Sequence, residues 1–191
     1  DGKVNIKIDL PQIEPGVWVG HGTQIDSSVK LEAPVMIGRN CRIGRESTIS
    51  QYTTVGDNVV IQEKTSLKQP VLWSNVYVGN NAQLRACVVC NNSTIHNGAE
   101  LLEGAIIGDN SAIGQEATVN PDVRIWPDKN VDSGAKVLTS VIWGTRAPRT
   151  LFGAHGVRGL TSVAWNAAKA LATPTSMASS LCPGFSPNAL S

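Results

Sequence analysis

Residues 37–67 read IGRNCRIGRESTISQYTTVGDNVVIQEKTSL. An aliphatic side chain returns at every sixth position: Ile37, Ile43, Ile49, Val55, Ile61 and Leu67. An α-helix repeats its faces every 3.6 residues and a strand every two, so neither produces a strict period of six. Working outward, the register runs back through Leu31 and Ile25 to Val19. Forward, a step of eleven reaches Val78, six more reach Leu84, and a second eleven reaches Ile95. The six-step then resumes through Leu101, Ile107, Ile113, Val119, Ile125, Val131 and Val137.

A second register supports the first. Four residues after each aliphatic stands a small or β-branched residue: Thr23, Val29, Val35, Cys41, Ser47, Thr53, Val59, Thr65 and Val71. Ala82, Val88, Ala99, Ala105, Ser111, Ala117, Val123 and Ala135 follow, and Lys129 breaks the rule. Such a repeat is read before any other feature, because one unit cannot bury its apolar face alone and must stack on its neighbours. Each hexad makes one short strand and one corner, and three close a triangular turn of 18 residues. One large and one small side chain point into the narrow interior, which has room for that pair and little else. Corners need permissive backbone, which Gly and Asn supply. Gly-x-Asn recurs at 38, 56, 79 and 108, the first two one full turn apart. The expected fold is all-β, a parallel β-helix of six to seven triangular turns. Each eleven-residue step is one residue short, which predicts a tightened corner or local kink.

The expected organisation is a lead-in over residues 1–16, the β-helix over 17–143 and a C-terminal extension over 144–191. A chain beginning at Asp1 is expected to be trimmed or a fragment. Its 191 residues carry 16 Lys+Arg against 15 Asp+Glu, a formal charge of +1. That balance gives no reason to expect nucleic acid or an anionic membrane as a partner. No apolar run reaches the ~20 residues that span a bilayer, and DGKVNIKIDL lacks a signal-peptide core, so a cytoplasmic location is expected. Cys41, Cys87, Cys90 and Cys182 are expected to be reduced thiols in a chain of this size.

Candidate chemistry is sparse. A carbonic-anhydrase type of metal site needs three histidines on one ion. The sequence offers His21, His96 and His155, with the first two more than four turns apart and the third beyond the repeat. Neither a metal nor a cofactor is expected. Cys87-Val-Val-Cys90 has the spacing of a dithiol or half a metal site, but no second pair accompanies it, so structural thiols are expected. His96, beside Asn97-Gly98, is the one candidate general base on the coil body. Its bland reading is a corner residue.

The stretches GVWVGHGTQIDSSVKLEAPVMIGRNCRIG, LKQPVLWSNVYVGNNAQLRACVVC and LLEGAIIGDNSAIG resemble the C-terminal hexapeptide-repeat domain of sugar-1-phosphate nucleotidyltransferases. The mannose-1-phosphate guanylyltransferase-like group is the nearest, over roughly residues 3–145. The resemblance implies a left-handed coil, a sense that periodicity alone does not give and that runs against the usual crossover rule. It also implies homo-oligomerisation and a nucleotidyltransferase catalytic domain as partner, in nucleotide-sugar metabolism. LFGAHGVRGL, residues 151–160, resembles the opening of a phosphomannomutase-type phosphohexomutase domain, in which the matching Arg158 implies phosphate binding. The nucleotide-binding domain and the rest of the mutase do not appear in the sequence. SVAWNAAKALA, residues 162–172, has the Ser N-cap and apolar spacing of a short helix that Pro174 would stop, and the remaining tail is expected to be irregular. Outward aromatics Trp73, Tyr77, Trp126 and Trp143 are candidate contact residues. The function expected is a non-catalytic oligomerisation or regulatory module. The alternative is a hexapeptide acyltransferase with His96 at a site between subunits.

Overall fold

The computed structural model describes residues 10–142, Gly144, 146–147, 152–153 and 156–157. The chain divides into two compact units, Asp1–Arg149 and Thr150–Ser191. In the second, Phe152–Gly153 pairs antiparallel with Gly156–Val157. Trp143, His155, Arg158, Cys182 and the expected helix at 162–172 lie outside the described residues.

The first unit is a parallel β-coil with three flat faces. The first face stacks Val17–Val19, Val35–Ile37, Thr53–Val55, Val71–Leu72, Val88–Val89, Ile106–Ile107 and Arg124–Ile125. The second runs from Gln24–Ile25 through Arg42–Ile43, Val60–Ile61, Tyr77–Val78, Thr94–Ile95 and Ala112–Ile113 to Asn130–Val131, with Arg146–Ala147 added beyond. The third runs from Lys30–Leu31 through Thr48–Ile49, Ser66–Lys68, Gln83–Arg85, Glu100–Leu101 and Thr118–Val119 to Lys136–Val137. Gln12–Glu14 turns back antiparallel on Val17–Val19 at the start of the stack. The described coil is thus all-β with about seven turns, as the hexads imply.

The core is a column of Val, Ile and Leu interleaved with smaller side chains. Among the largest fully buried side chains are Ile37, Ile49, Ile61, Leu67, Leu84 and Ile107. At the two short rungs the inward residues differ from expectation. Leu72 and Val89 are buried and continue the aliphatic column, so each eleven-step divides into five plus six. Pro70 and Cys87 fill the small inward slots, and Val71 and Val88 point outward instead. The missing residue is taken from the corner. Elsewhere the positive-φ corner residue comes three positions after the aliphatic, as at Asn40, Asn58 and Asn92. At Gln69 and Ala86 it comes two positions after. The two short turns stack on each other, with Lys68 opposite Arg85, so the shortening is shared and the register above is kept.

Two corner positions have separate demands. Among the described residues the left-handed φ is held by fourteen non-glycine residues, mostly Asn, Asp and Glu, as well as by glycines such as Gly98 at φ 68°. Gly38 stands elsewhere, directly after its aliphatic, where a Cβ would lie 2.5 Å from the backbone of Gly56 in the next turn. In Gly-x-Asn the glycine therefore permits close stacking, and the asparagine makes the bend. Asn58, Asn75, Asn92, Asn110 and Asp128 form a hydrogen-bonded ladder up one vertex. Each amide donates to the side-chain oxygen above it at 3.1–3.3 Å.

Hydroxyls in the inward slots are satisfied by the coil itself. Thr23 donates to Gly38 O at 2.7 Å, Ser47 to Gln62 O at 2.9 Å and Ser93 to Gly108 O at 2.9 Å. No buried side-chain polar atom among the described residues lacks a partner, which removes the usual cost of polar groups in a core. Lys129, the odd residue in its register, stays half-buried and turns its ammonium to Pro127 O at 3.1 Å.

Candidate functional site

His96 follows the strand Thr94–Ile95 and is exposed on the vertex after the second face. Its backbone N–H is spent on Ile113 O at 2.9 Å, so the coil fixes the main chain and leaves the ring outside. The equivalent residues one turn below and above are Gly79 and Gly114, since Gly79 N bonds to Ile95 O and Gly114 N to Val131 O. The ring therefore stands in a notch, with no side chain at its own register position on either adjoining rung. Gly114, Gln115, Asn130, Asp132 and Ser133 line an open groove with it. Asp132 belongs to the same vertex position two rungs up, about 10 Å away by strand spacing. A general base needs a partner within hydrogen-bond reach to orient it, and His96 makes no side-chain hydrogen bond within the described residues.

His21 is exposed on a different vertex, the one following the first face, at the first rung. Distinct vertices keep these two imidazoles apart. Among the described residues no three His, Cys, Asp or Glu side chains gather as metal ligands.

The CxxC spacing is split by the strand between its members. Cys87 enters the core, while Cys90 is half-buried past the far end of the strand. Burial pushes the Cys87 thiol up to about 12. Cys90 is raised as well, by burial and then by the nearby Asp109 carboxylate. Cys41, also in an inward slot, is raised by burial and donates its S–H to Gly56 O at 3.1 Å. A thiol needs a depressed pKa to be a good nucleophile near neutral pH, and all three move the other way.

The outer surface is uneven in character. On the first face the outward residues, in register, are Trp18, Met36, Thr54, Val71, Val88, Ile106 and Arg124. The matching column on the second face is Gln24, Arg42, Val60, Tyr77, Thr94, Ala112 and Asn130. On the third it is Lys30, Thr48, Ser66, Gln83, Glu100, Thr118 and Lys136. Only the first is largely apolar. Trp73 and Trp126, 49% and 53% exposed, flank it on the next vertex, and Tyr52 flanks it on the preceding one. Trp73 and Trp126 thus lie outside the core as anticipated, at a vertex rather than on a flat face, and Tyr77 is half-buried on the second face. The apolar column itself escaped the hexad reading. Steps of 18 from Trp18 expose Met36 and Thr54, but both short turns then shift the count to 17.

Residues 14–119 match the family model for the LbH, or left-handed β-helix, domain of EIF2B subunit epsilon. The match covers more than half of the 191 residues. The chain belongs to this family. Membership of the EIF2B-epsilon LbH family supplies the left-handed sense and places the coil with nucleotidyltransferase-like proteins. No curated protein matches the chain. Among solved structures it is similar to a Bacillus cereus protein described as an acetyltransferase, the product of the BC4754 gene. Identity is 25%, coverage 60% of this chain and 76% of that one, and the TM-score 0.42. The acetyltransferase domain of PglB from Neisseria gonorrhoeae is 16% identical over 66% of this chain and 54% of its own, at 0.38. The UDP-N-acetylglucosamine O-acyltransferase of Moraxella catarrhalis is 14% identical over 71% and 70%, at 0.36. At these TM-scores the likenesses carry no weight in assigning a function to the LbH domain.

Proposed function

We propose that this LbH domain is a non-catalytic assembly module that oligomerises and positions the nucleotidyltransferase catalytic domain of a mannose-1-phosphate guanylyltransferase-like protein. The observation that carries this reading is the apolar outward column of the first face, flanked by two exposed tryptophans. Contiguous apolar surface of this kind marks a contact site. Family membership supports the link to nucleotidyltransferase-like proteins. The sugar, and the phosphomannomutase-type segment with Arg158 as a phosphate contact, rest on sequence resemblance. A homo-oligomer in the cytoplasm, with no nucleic-acid or membrane partner, completes the reading. No helix among the described residues is long and apolar enough to cross a membrane.

A second reading has its own observation. The notch that Gly79 and Gly114 leave around His96 opens onto a groove lined by Gln115, Asn130 and Ser133, which a neighbouring chain would complete as an acyltransferase site. Calorimetry with acetyl-coenzyme A, GDP-mannose and mannose 1-phosphate separates the two. Binding of none of them is the result expected of an assembly module. Saturable acetyl-coenzyme A binding that His96→Ala abolishes overturns it.

A further inference from the structure

We infer that the first face is a self-association surface on which two copies of this chain pair head to tail, about a twofold axis parallel to the strands through the level of Val71. The inference rests on the assembly reading above and names the surface and partner it leaves open.

The order of residues up the face carries the argument. Its seven outward positions are Trp18, Met36, Thr54, Val71, Val88, Ile106 and Arg124, with Val71 at the centre. A twofold axis along the central strand inverts height and sets rung one against rung seven. Trp18 then meets Arg124 of the second copy, a cation over an aromatic ring. Met36 meets Ile106, Thr54 meets Val88, and Val71 meets its own counterpart. Every outward residue except Val88, which meets the Thr54 hydroxyl and methyl, finds an apolar or cation–π partner, and Arg124, exposed in the single chain, is accounted for. Pairing with both copies pointing the same way sets Arg124 against Arg124 and leaves that repulsion uncompensated.

The same twofold operation brings the flanking vertices together. On the vertex after the face, Trp73 approaches its counterpart at the centre, and Arg39 reaches the level of Asp109. On the vertex before it, Glu32 comes level with Glu103. Both carboxylates are exposed, so water and salt screen them. Six strand spacings make the column about 30 Å tall. With a width of ~15–20 Å, each copy buries on the order of 500 Å², near the low end for a specific interface. A reversible dimer in the micromolar range is the size-appropriate outcome, and a net charge of +1 offers little opposition.

Cysteine cross-linking reads the orientation directly. In a full-length chain carrying Cys90→Ser and Cys182→Ser, Val71→Cys alone is expected to form disulfide dimers under mild oxidation. Met36→Cys alone and Ile106→Cys alone are expected not to, whereas a mixture of the two is. Cross-linking of Met36→Cys to itself overturns the head-to-tail pairing. Light scattering supplies the second test. Val71→Arg and, independently, Ile106→Lys are expected to halve the mass of the wild-type species, with circular dichroism unchanged. Thr118→Arg on the third face is expected to leave it intact. A wild-type mass kept by both first-face variants, a threefold mass, or a monomeric wild type overturns the inference. Failure of the assembly reading would appear instead as saturable acetyl-coenzyme A binding, whichever face is altered.

Discussion

At the scale of single residues, the coil makes different demands on chemically similar positions. Gly38 and Gly98 are both corner glycines, yet they are irreplaceable to different degrees. A Cβ on Gly38 would fall 2.5 Å from the Gly56 carbonyl, whereas at Gly98 the nearest atom is the movable Glu116 Cγ at 3.3 Å. Gly98 has a positive φ, which Asn81 adopts at the same vertex position one turn earlier. Gly38→Ala is expected to destabilise by roughly 3 kcal/mol, because backbone must move. Gly98→Asn should stay within about 0.5 kcal/mol of wild type. Urea denaturation of both variants checks the contrast. Cys87 gives a prediction in pH. Its thiol is held up to about 12 in the fold against 9.0 for the free group. The folded state therefore keeps a proton that the unfolded chain loses. The contribution is fully present below pH 9 and is lost as pH rises towards 12, on the order of a few kcal/mol in all. Thermal melts from pH 8 to 11 should fall more steeply for wild type than for Cys87→Val. Equal slopes would show that the thiol ionises freely in the fold.

At the scale of elements, each strand is two or three residues long and stands only because its neighbours do. Vertices matter as much as strands. Asn92 both makes the bend, at φ 55°, and joins Asn75 to Asn110 in the amide ladder. Asn92→Gly keeps the bend and removes the ladder, and is expected to cost about 1 kcal/mol. Asn92→Ala loses both and should cost about 1 kcal/mol more, as read from chemical denaturation. This level was largely legible in the sequence. The large-small alternation located the core, and Gly-x-Asn marked corners, because both follow from an interior too narrow for two large side chains. The short turns were legible only as missing residues. Which one was missing depended on where the chain bends, and Gln69 and Ala86 are not residues that announce a bend. The uninterrupted hexad count consequently puts Val71 and Val88 inside, although Pro70 and Cys87 occupy those slots. Pro70 fills its slot without needing an N–H of its own.

At the scale of the molecule, the sequence said least about what the coil does, because its strongest signal is spent on the interior. A hexad repeat describes which side chains face inward and leaves the outward ones unconstrained. Trp18, Met36, Thr54, Val71, Val88 and Ile106 follow one another at intervals of 17 or 18 residues and align only once the turn length is known. His96 was legible as a candidate, whereas the glycines that open a notch around it acquire meaning only through stacking. Assembly through one chemically distinct face is the central claim, and the molecular mass in solution tests it most directly. Light scattering of the full chain across a dilution series from ~100 to ~1 μM spans the range in which a small interface dissociates. A dimer paired through the first face gives a mass approaching twice the 20.2 kDa of the single chain at the upper end and declining on dilution. A constant 20.2 kDa at every concentration would contradict it.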